Sequence, residues 1–286
     1  MKIAIIVNLT KEKAISCSRD IIALLKKGQA EILMPPDCRN YYKNEDVQIC
    51  DSIESMFEQS DAAITVGGDG TIIHAAKYAA RSDTPLIGVN VGRLGFAANV
   101  EINEIESLTK LLSGDYTVES RTLLDVEVVK PKGSSHHLAV NDAVVAHGQL
   151  SKIVDLQLWL DGTPISKYRA DGLLFSTPTG STAYSLSAGG PILSPQMECI
   201  LMTPVCPHSL FSRSVLFEGS AELAVTVKIP PECSCLLTID GERNINILED
   251  DRVIIRKSEL KLKLLSVKSY NFYTKLNEKL KERELS

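Results

Sequence analysis

Residues 61–80, DAAITVGGDGTIIHAAKYAA, restrict the fold more than any other stretch of the chain. A short apolar run, Ala62 to Val66, reads as a buried parallel strand, and from Thr71 onward Ile72, Ala75, Ala76, Ala79 and Ala80 recur at helical spacing. Between them lie Gly67, Gly68, Asp69 and Gly70. Glycines there admit positive φ and let the backbone approach a ligand, while the free N–H groups and dipole of a helix start favour phosphate. A carboxylate in such a loop repels an anionic ligand unless it works on a proton or a metal ion. The other reading of Asp69 is a cap for a helix beginning near Thr71.

The segments before and after extend the strand–helix alternation. Residues 3–7 read as the first strand, Ala14 to Lys27 as a helix, Ala30 to Leu33 as a strand, Pro35 to Asp46 as loop and Ile49 to Gln59 as a helix. Residues 85–90 form another buried strand, followed by an amphipathic helix on Ile102, Ile105, Leu108 and Leu112 that Gly114 closes. Such alternation implies a parallel sheet. From Thr117 the period changes to two. Leu124 to Val128, a turn at Lys132 to Ser135 and Leu138 to Val145 make a hairpin, with His136 and His137 placed in its turn. Val154 to Leu160 alternates and ends in the turn dipeptide Asp161–Gly162. Further strands are expected at Ala221 to Ile229, Leu236 to Ile239, Arg252 to Arg256 and Leu260 to Leu265, then a helix over 270–284 whose Phe272, Leu276 and Leu280 pack back.

The expected fold class is therefore α/β plus all-β: a Rossmann-like parallel α/β domain over 1–115 and an antiparallel β-sandwich-like domain over 116–267. The C-terminal helix, 268–286, returns to the first domain. A chain of 286 residues has room for both.

The formal net charge of −5 supplies no general attraction for nucleic acid or anionic lipid. Five apolar residues between Lys2 and Asn8 are too few for a signal peptide or a membrane span. Seven scattered cysteines, without a Cys-x-x-Cys pair, indicate neither a disulfide framework nor a zinc site, and no metal ligands are assigned. A cytoplasmic setting fits this pattern.

Residues 169–191, RADGLLFSTPTGSTAYSLSAGGP, are the second unusual stretch. Small hydroxyl residues among glycines offer many donors and acceptors on a closely approachable backbone, and Tyr184 adds a flat face for a base. A surface array of turns is the alternative. Together with this stretch, GGDGT at 67–71, NVGRLGF at 90–96, Asn141–Asp142, TPVCPHSL at 203–210 and FYTKL at 272–276 resemble the NAD kinase family, in order along nearly the whole chain. GGDGT is shared with diacylglycerol and sphingosine kinases, whereas the hydroxyl-rich stretch is the specific element.

The resemblance implies transfer of the terminal phosphoryl group of ATP to the 2′-hydroxyl of the adenosine ribose of NAD, giving NADP, with Mg²⁺ or another divalent cation. It places Asp69 as the catalytic base and Gly70 and His74 beside it. Asn141 and Asp142 fall at the family's amide-and-acid pair, where Glu is common. Lys152 and Arg169 fall at variable polar contacts. Asp171 and the run Thr182, Ala183, Tyr184, Ser185, Leu186 and Ser187 fall at dinucleotide contacts. A homo-oligomer, dimer or tetramer, is implied as well. Asp240–Gly241 resembles a family turn followed by Gln, but Glu242 stands here, so that contact is not carried over. His147 and His208 read as isolated, structural or solvated residues.

Two other readings compete. A lipid kinase would share GGDGT, but no amphipathic segment suited to a bilayer accompanies it. A non-catalytic dinucleotide-binding protein would prefer a neutral residue at Asp69. Neither GxxxxGK[ST] nor GxGxxG occurs, which removes the main support for P-loop and dehydrogenase readings.

Overall fold

The structure is a computed structural model that describes residues 1–92, 100–148, 153–209, 212–229, 233–268 and 271–284, with the backbone alone for 279–284. The chain forms two compact units, one of Met1–Ser120 with Leu262–Ser286 and the other of Arg121–Lys261.

The first unit is built on near-continuous apolar strands, as a parallel sheet covered on both faces demands. In chain order it contains β1 (Lys2–Val7), α1 (Glu12–Lys27), β2 (Glu31–Met34), β3 (Gln48–Ile49), α2 (Ile53–Glu58), β4 (Ala62–Gly67), α3 (Asp69–Arg81), β5 (Leu86–Asn90), β6 (Val100–Glu101) and α4 (Lys110–Ser113). The strand order is β5-β4-β1-β2-β3, all parallel, so β1 lies between β2 and β4 although β4 comes three strands later. Ile3, Ile5, Ile32, Ile64 and Ile87 pack with Ile21 and Leu25 of α1 in one core. Truncating any of these isoleucines to alanine would cost about 2–5 kcal/mol.

Three local expectations change here. The helix expected over Ile49 to Gln59 is a two-residue strand, β3, followed by the shorter α2, which starts after Ser52 because Ser52 and Ser55 form a reciprocal cap. The loop from Pro35 contains a 3₁₀ turn over Pro36–Asn40. The helix expected on Ile102 to Leu112 is a 3₁₀ segment, Ile102–Thr109, that turns α-helical only in α4; Gly114, at φ +73°, closes it as expected.

The second unit is antiparallel. It continues with β7 (Thr117–Lys130), β8 (Gly133–Ala139), β9 (Asp142–His147), β10 (Val154–Leu160), β11 (Thr163–Ala170), β12 (Gly172–Ser176), α5 (Tyr184–Ser187), β13 (Cys199–Val205), β14 (Val215–Glu218), β15 (Leu223–Lys228), β16 (Cys235–Ile239), β17 (Arg243–Ile247) and β18 (Arg252–Ser266). One sheet runs β14-β13-β12-β9-β16-β17, and the facing layer contains β11-β10-β15-β18. Phe175, Val145 and Leu237 from the first pack with Leu156, Val225 and Val253 from the second. Asp161 and Gly162 both have positive φ, 48° and 78°, as the two-residue turn between β10 and β11 requires.

The single strand expected from Leu138 to Val145 is two. β8 pairs with β7, while β9 pairs with β12 and β16 in the other sheet, and Val140–Asn141 makes the step. His136 and His137 consequently lie on β8 rather than in a turn, with His136 Nδ1 3.3 Å from Asp125 and His137 Nδ1 3.1 Å from Arg243. The strands expected at Arg252 to Arg256 and Leu260 to Leu265 are one strand, β18. The polar stretch between them is extended too, and Lys257 and Lys261 on it both pair with Glu198, at 2.8 and 2.7 Å.

The C-terminal helix, α6 (Phe272–Glu284), starts where Asn271 Oδ1 accepts the N–H groups of Tyr273 and Thr274, and it buries Leu276. Among the described residues no helix is long and apolar enough to cross a membrane.

Candidate active site

In the first unit the site begins where β4 meets α3. Helical geometry starts at Asp69, two residues earlier than expected. Gly68 is the N-cap, so Asp69 is the first helical residue, an acid in the first turn where the helix dipole favours negative charge. None of Gly67, Gly68 and Gly70 has positive φ. Their value lies in space. A Cβ on Gly67 would stand 2.2 Å from Thr71 Oγ1 and 3.2 Å from Asn8 Cβ, so only glycine lets β4 turn this tightly beside the end of β1. A Cβ on Gly68 or Gly70 would meet nothing within 4 Å.

That open space belongs to a cavity of about 860 Å³ at the carboxyl ends of the parallel strands. This is where open α/β sheets take their ligands. Gly68, Gly70 and His74 line one side, Asn8, Thr10 and Lys11 another, and Pro35 a third. Asp69 is half-buried and lies on the same loop, but the cavity wall is made by the glycines on either side of it. His74 is exposed on α3, with its ring centroid 5.8 Å from that of Tyr78 in an edge-on arrangement.

Asn8, Thr10 and Lys11 were not singled out in the sequence. Asn8 Oδ1 accepts from the Thr10 amide at 3.1 Å and the Thr10 hydroxyl at 2.6 Å, which shapes the loop so that α1 starts with Lys11 at its N-cap. Lys11 is exposed, and its Nζ stands 3.5 Å from the Cβ position of Gly92. Asn90 arranges the same region, donating to Glu101 at 3.1 Å and accepting from the Gly92 amide at 3.1 Å. The rest of the NVGRLGF stretch, 93–96, lies outside the described residues, as does Lys152.

In the second unit Asn141 and Asp142 sit at the step from β8 to β9. Asp240 makes that step. Its carboxylate accepts the amides of Val140 at 2.9 Å, Asn141 at 2.7 Å and Asp142 at 3.1 Å. Asp142 is 5% exposed, and burial, with the Asp240 charge second, pushes its carboxyl from the usual 3.8 up to about 7. Three amide donors suit a charged acceptor at Asp240, and the Asp142 carboxyl keeps its proton until the pH approaches about 7.

The hydroxyl-rich stretch folds against this step. Thr177 donates its hydroxyl to Val140 O at 2.7 Å and its amide to Asn141 O at 2.9 Å. Gly180 packs on Asn141 so closely that a Cβ there would be 2.1 Å from the Asn141 carbonyl oxygen. Many of the hydroxyls are used inside the protein. Ser181 bonds Pro178 O, Thr182 bonds Thr179 O at 3.2 Å, and Ser185 meets Thr203 at 3.1 Å. Thr182 and Ser185 are buried, Ala183 and Leu186 half-buried, and Tyr184 and Ser187 exposed.

Asp171 is half-buried. His147, which reads as isolated in the sequence, is not: its Nε2 is 3.6 Å from Asp171 Oδ1. Asp171 also accepts a hydrogen bond from the Cys206 thiol, and this bond, with the carboxylate's charge, raises the thiol's pKa. Arg169 is exposed, 3.8 Å from Asp155, and its carbonyl accepts the His208 amide.

Solved structures with this fold include yeast NADH kinase complexed with NADH, at TM-score 0.87 and 24% identity, covering 98% of this chain and 87% of that one. An Archaeoglobus fulgidus NAD kinase in complex with ATP aligns at TM-score 0.78 and 24% identity, over 98% and 99%. These likenesses show the fold, a parallel α/β unit and an antiparallel β unit in one chain. In sequence, residues 3–116 match the ATP-NAD kinase N-terminal domain and residues 140–267 the C-terminal domain. The NAD kinase of Moorella thermoacetica is 34% identical over 282 residues, 98% of this chain and 89% of the relative. That of Natranaerobius thermophilus is 35% identical over 281 residues, 97% of each. The chain belongs to the NAD kinase family, and its activity is phosphoryl transfer from ATP to NAD.

Proposed function

We propose that Asp69 is the general base of this NAD kinase. It takes the proton from the 2′-hydroxyl of the adenosine ribose of NAD as that oxygen attacks the terminal phosphorus of ATP, and NADP and ADP leave. The observation that carries the reading is a carboxylate in the first turn of α3, between two glycines that open onto the cavity. A base of this kind contributes about 10²–10⁴-fold. Most of the remaining rate comes from holding the hydroxyl in line and neutralising phosphate charge.

The donor's phosphates are assigned to that cavity, against the α3 N-terminus and the Lys11 ammonium. Among the described residues no group of three or more His, Cys, Asp or Glu side chains could cage a metal. Mg²⁺ needs no such cage, since one or two carboxylates suffice when phosphates and water complete its shell, and Asp69 fits that part. When bound, the ion would neutralise charge on the transferring phosphoryl group.

Gly70 and His74 are assigned to the reacting region. Asn141, Asp142, Lys152, Arg169, Asp171 and the run Thr182, Ala183, Tyr184, Ser185, Leu186 and Ser187 are assigned to NAD. Tyr184 and Ser187 offer an exposed ring and hydroxyl, whereas the buried Thr182 and Ser185 act through the loop they hold. The enzyme works in the cytoplasm as a homo-oligomer, dimer or tetramer, which light scattering on the purified protein tests.

The deciding experiment supplies purified protein with ATP, Mg²⁺ and NAD and detects NADP with an NADP-specific dehydrogenase. NADP should form, chelation should stop it, and 2′-deoxy-NAD should yield none. Product from the deoxy substrate would overturn the assignment of the acceptor oxygen.

A further inference from the structure

We propose that Asp240 is a positioning residue for NAD: its carboxylate clamps the amides of Val140, Asn141 and Asp142 and so sets how the Asn141 and Asp142 side chains are presented. The inference rests on the reading of Asn141 and Asp142 as NAD contacts.

Asp240 is distant in sequence and follows the end of β16. Its side chain turns back on the chain exactly where β8 hands over to β9, and the Asp240 amide donates to Asp142 O at 2.9 Å. Four hydrogen bonds, three to the side chain and one from the backbone, therefore tie the two segments together. Asp240 itself has a φ of 50°, a left-handed backbone that an aspartate tolerates better than most residues. Gly241 beside it is also left-handed, at 70°. The turn after β16 thus adopts two uncommon conformations, and the result is a carboxylate aimed at three successive amides. A strand running straight through Val140 and Asn141 would present neither side chain at a corner.

The clamp carries a second consequence, which separates positioning from mere support. Asp240 is the charged group that acts on Asp142 among the described residues. Ser176, opposite Asp142 on β12, is uncharged. Removing the Asp240 charge while keeping its shape should therefore alter both the presentation of Asp142 and the pH at which it ionises.

The test compares wild type, Asp142→Asn, Asp240→Asn and Asp240→Glu in steady-state kinetics between about pH 5.5 and 8.5. Wild type should show an inflection near neutrality in KM for NAD, which Asp142→Asn abolishes while raising KM. Asp240→Asn should raise KM for NAD about tenfold, leave KM for ATP unchanged, and move the inflection to lower pH. Asp240→Glu retains the charge one methylene further out, so it should raise KM for NAD with the inflection near its wild-type position; it also serves if Asp240→Asn does not fold. Wild-type KM for NAD in both Asp240 variants, alongside an impaired Asp142→Asn, would overturn the positioning role alone. An unimpaired Asp142→Asn would overturn the underlying reading of Asp142 as well.

Discussion

Replacing Asp142 with asparagine is expected to make the folded protein more stable while impairing its use of NAD. Asp142 is almost fully buried, and its carboxyl titrates at about 7 instead of 3.8, first because of burial and second because of Asp240. A folded-state value raised above the unfolded one means that the native protein holds a proton the unfolded chain has released. Stability is therefore undiminished below about pH 4, falls as pH rises, and has lost its full amount above about pH 7. Three units at 1.36 kcal/mol each put the ceiling near ~4 kcal/mol. At about pH 5 little more than a third of that penalty has developed, so the advantage of Asp142→Asn should grow by ~2–3 kcal/mol between pH 5 and 8. Thermal unfolding of both proteins across this range measures it, as a gap in midpoint that widens with pH by several degrees. A gap that is constant with pH, or a variant less stable than wild type at pH 8, would refute the reasoning. A group that costs this much stability is retained for what it does, as functional sites commonly are.

Lys11→Ala should raise KM for ATP about tenfold or more with little change in KM for NAD, because it removes a cation from the cavity wall without touching the core; initial rates at varied ATP check this. Gly180→Ala places a methyl 2.1 Å from the Asn141 carbonyl oxygen, a backbone atom that cannot step aside, so it should displace the Asn141 corner and weaken NAD binding by calorimetry. At Gly70 the added methyl meets nothing, so Gly70→Ala should fold with wild-type stability and any loss should appear only in turnover.

The parallel unit was legible because its strands are continuous apolar runs and its helices amphipathic, and the β4–α3 corner was legible from its glycines. What escaped was made by contacts distant in sequence. Nothing in Leu138 to Val145 marks a break, since the step at Val140–Asn141 is imposed by Asp240 about a hundred residues away. Residues 257–259 read as a gap between two strands, yet the chain runs extended through them, and Lys257 and Lys261 on that stretch both pair with Glu198. Lys11 lies before the helix expected from Ala14 and carries no signal of its own in the sequence. The signal that could have found it is the strand order, which sets β1 against β4 and so brings the loop after β1 beside Gly68. The hydroxyl-rich stretch was recognised as unusual, but its composition could not tell which hydroxyls face inward. Ser181 and Ser185 are fully buried, while Tyr184 and Ser187 remain at the surface.

The central claim is that the Asp69 carboxylate removes a proton from the sugar hydroxyl. It is tested most directly by the turnover of Asp69→Asn at saturating ATP and NAD, with NAD affinity measured on the same preparation. The account predicts NAD binding close to wild type and NADP formation reduced by about 10²–10⁴-fold. Wild-type turnover in a variant that binds NAD normally would contradict it.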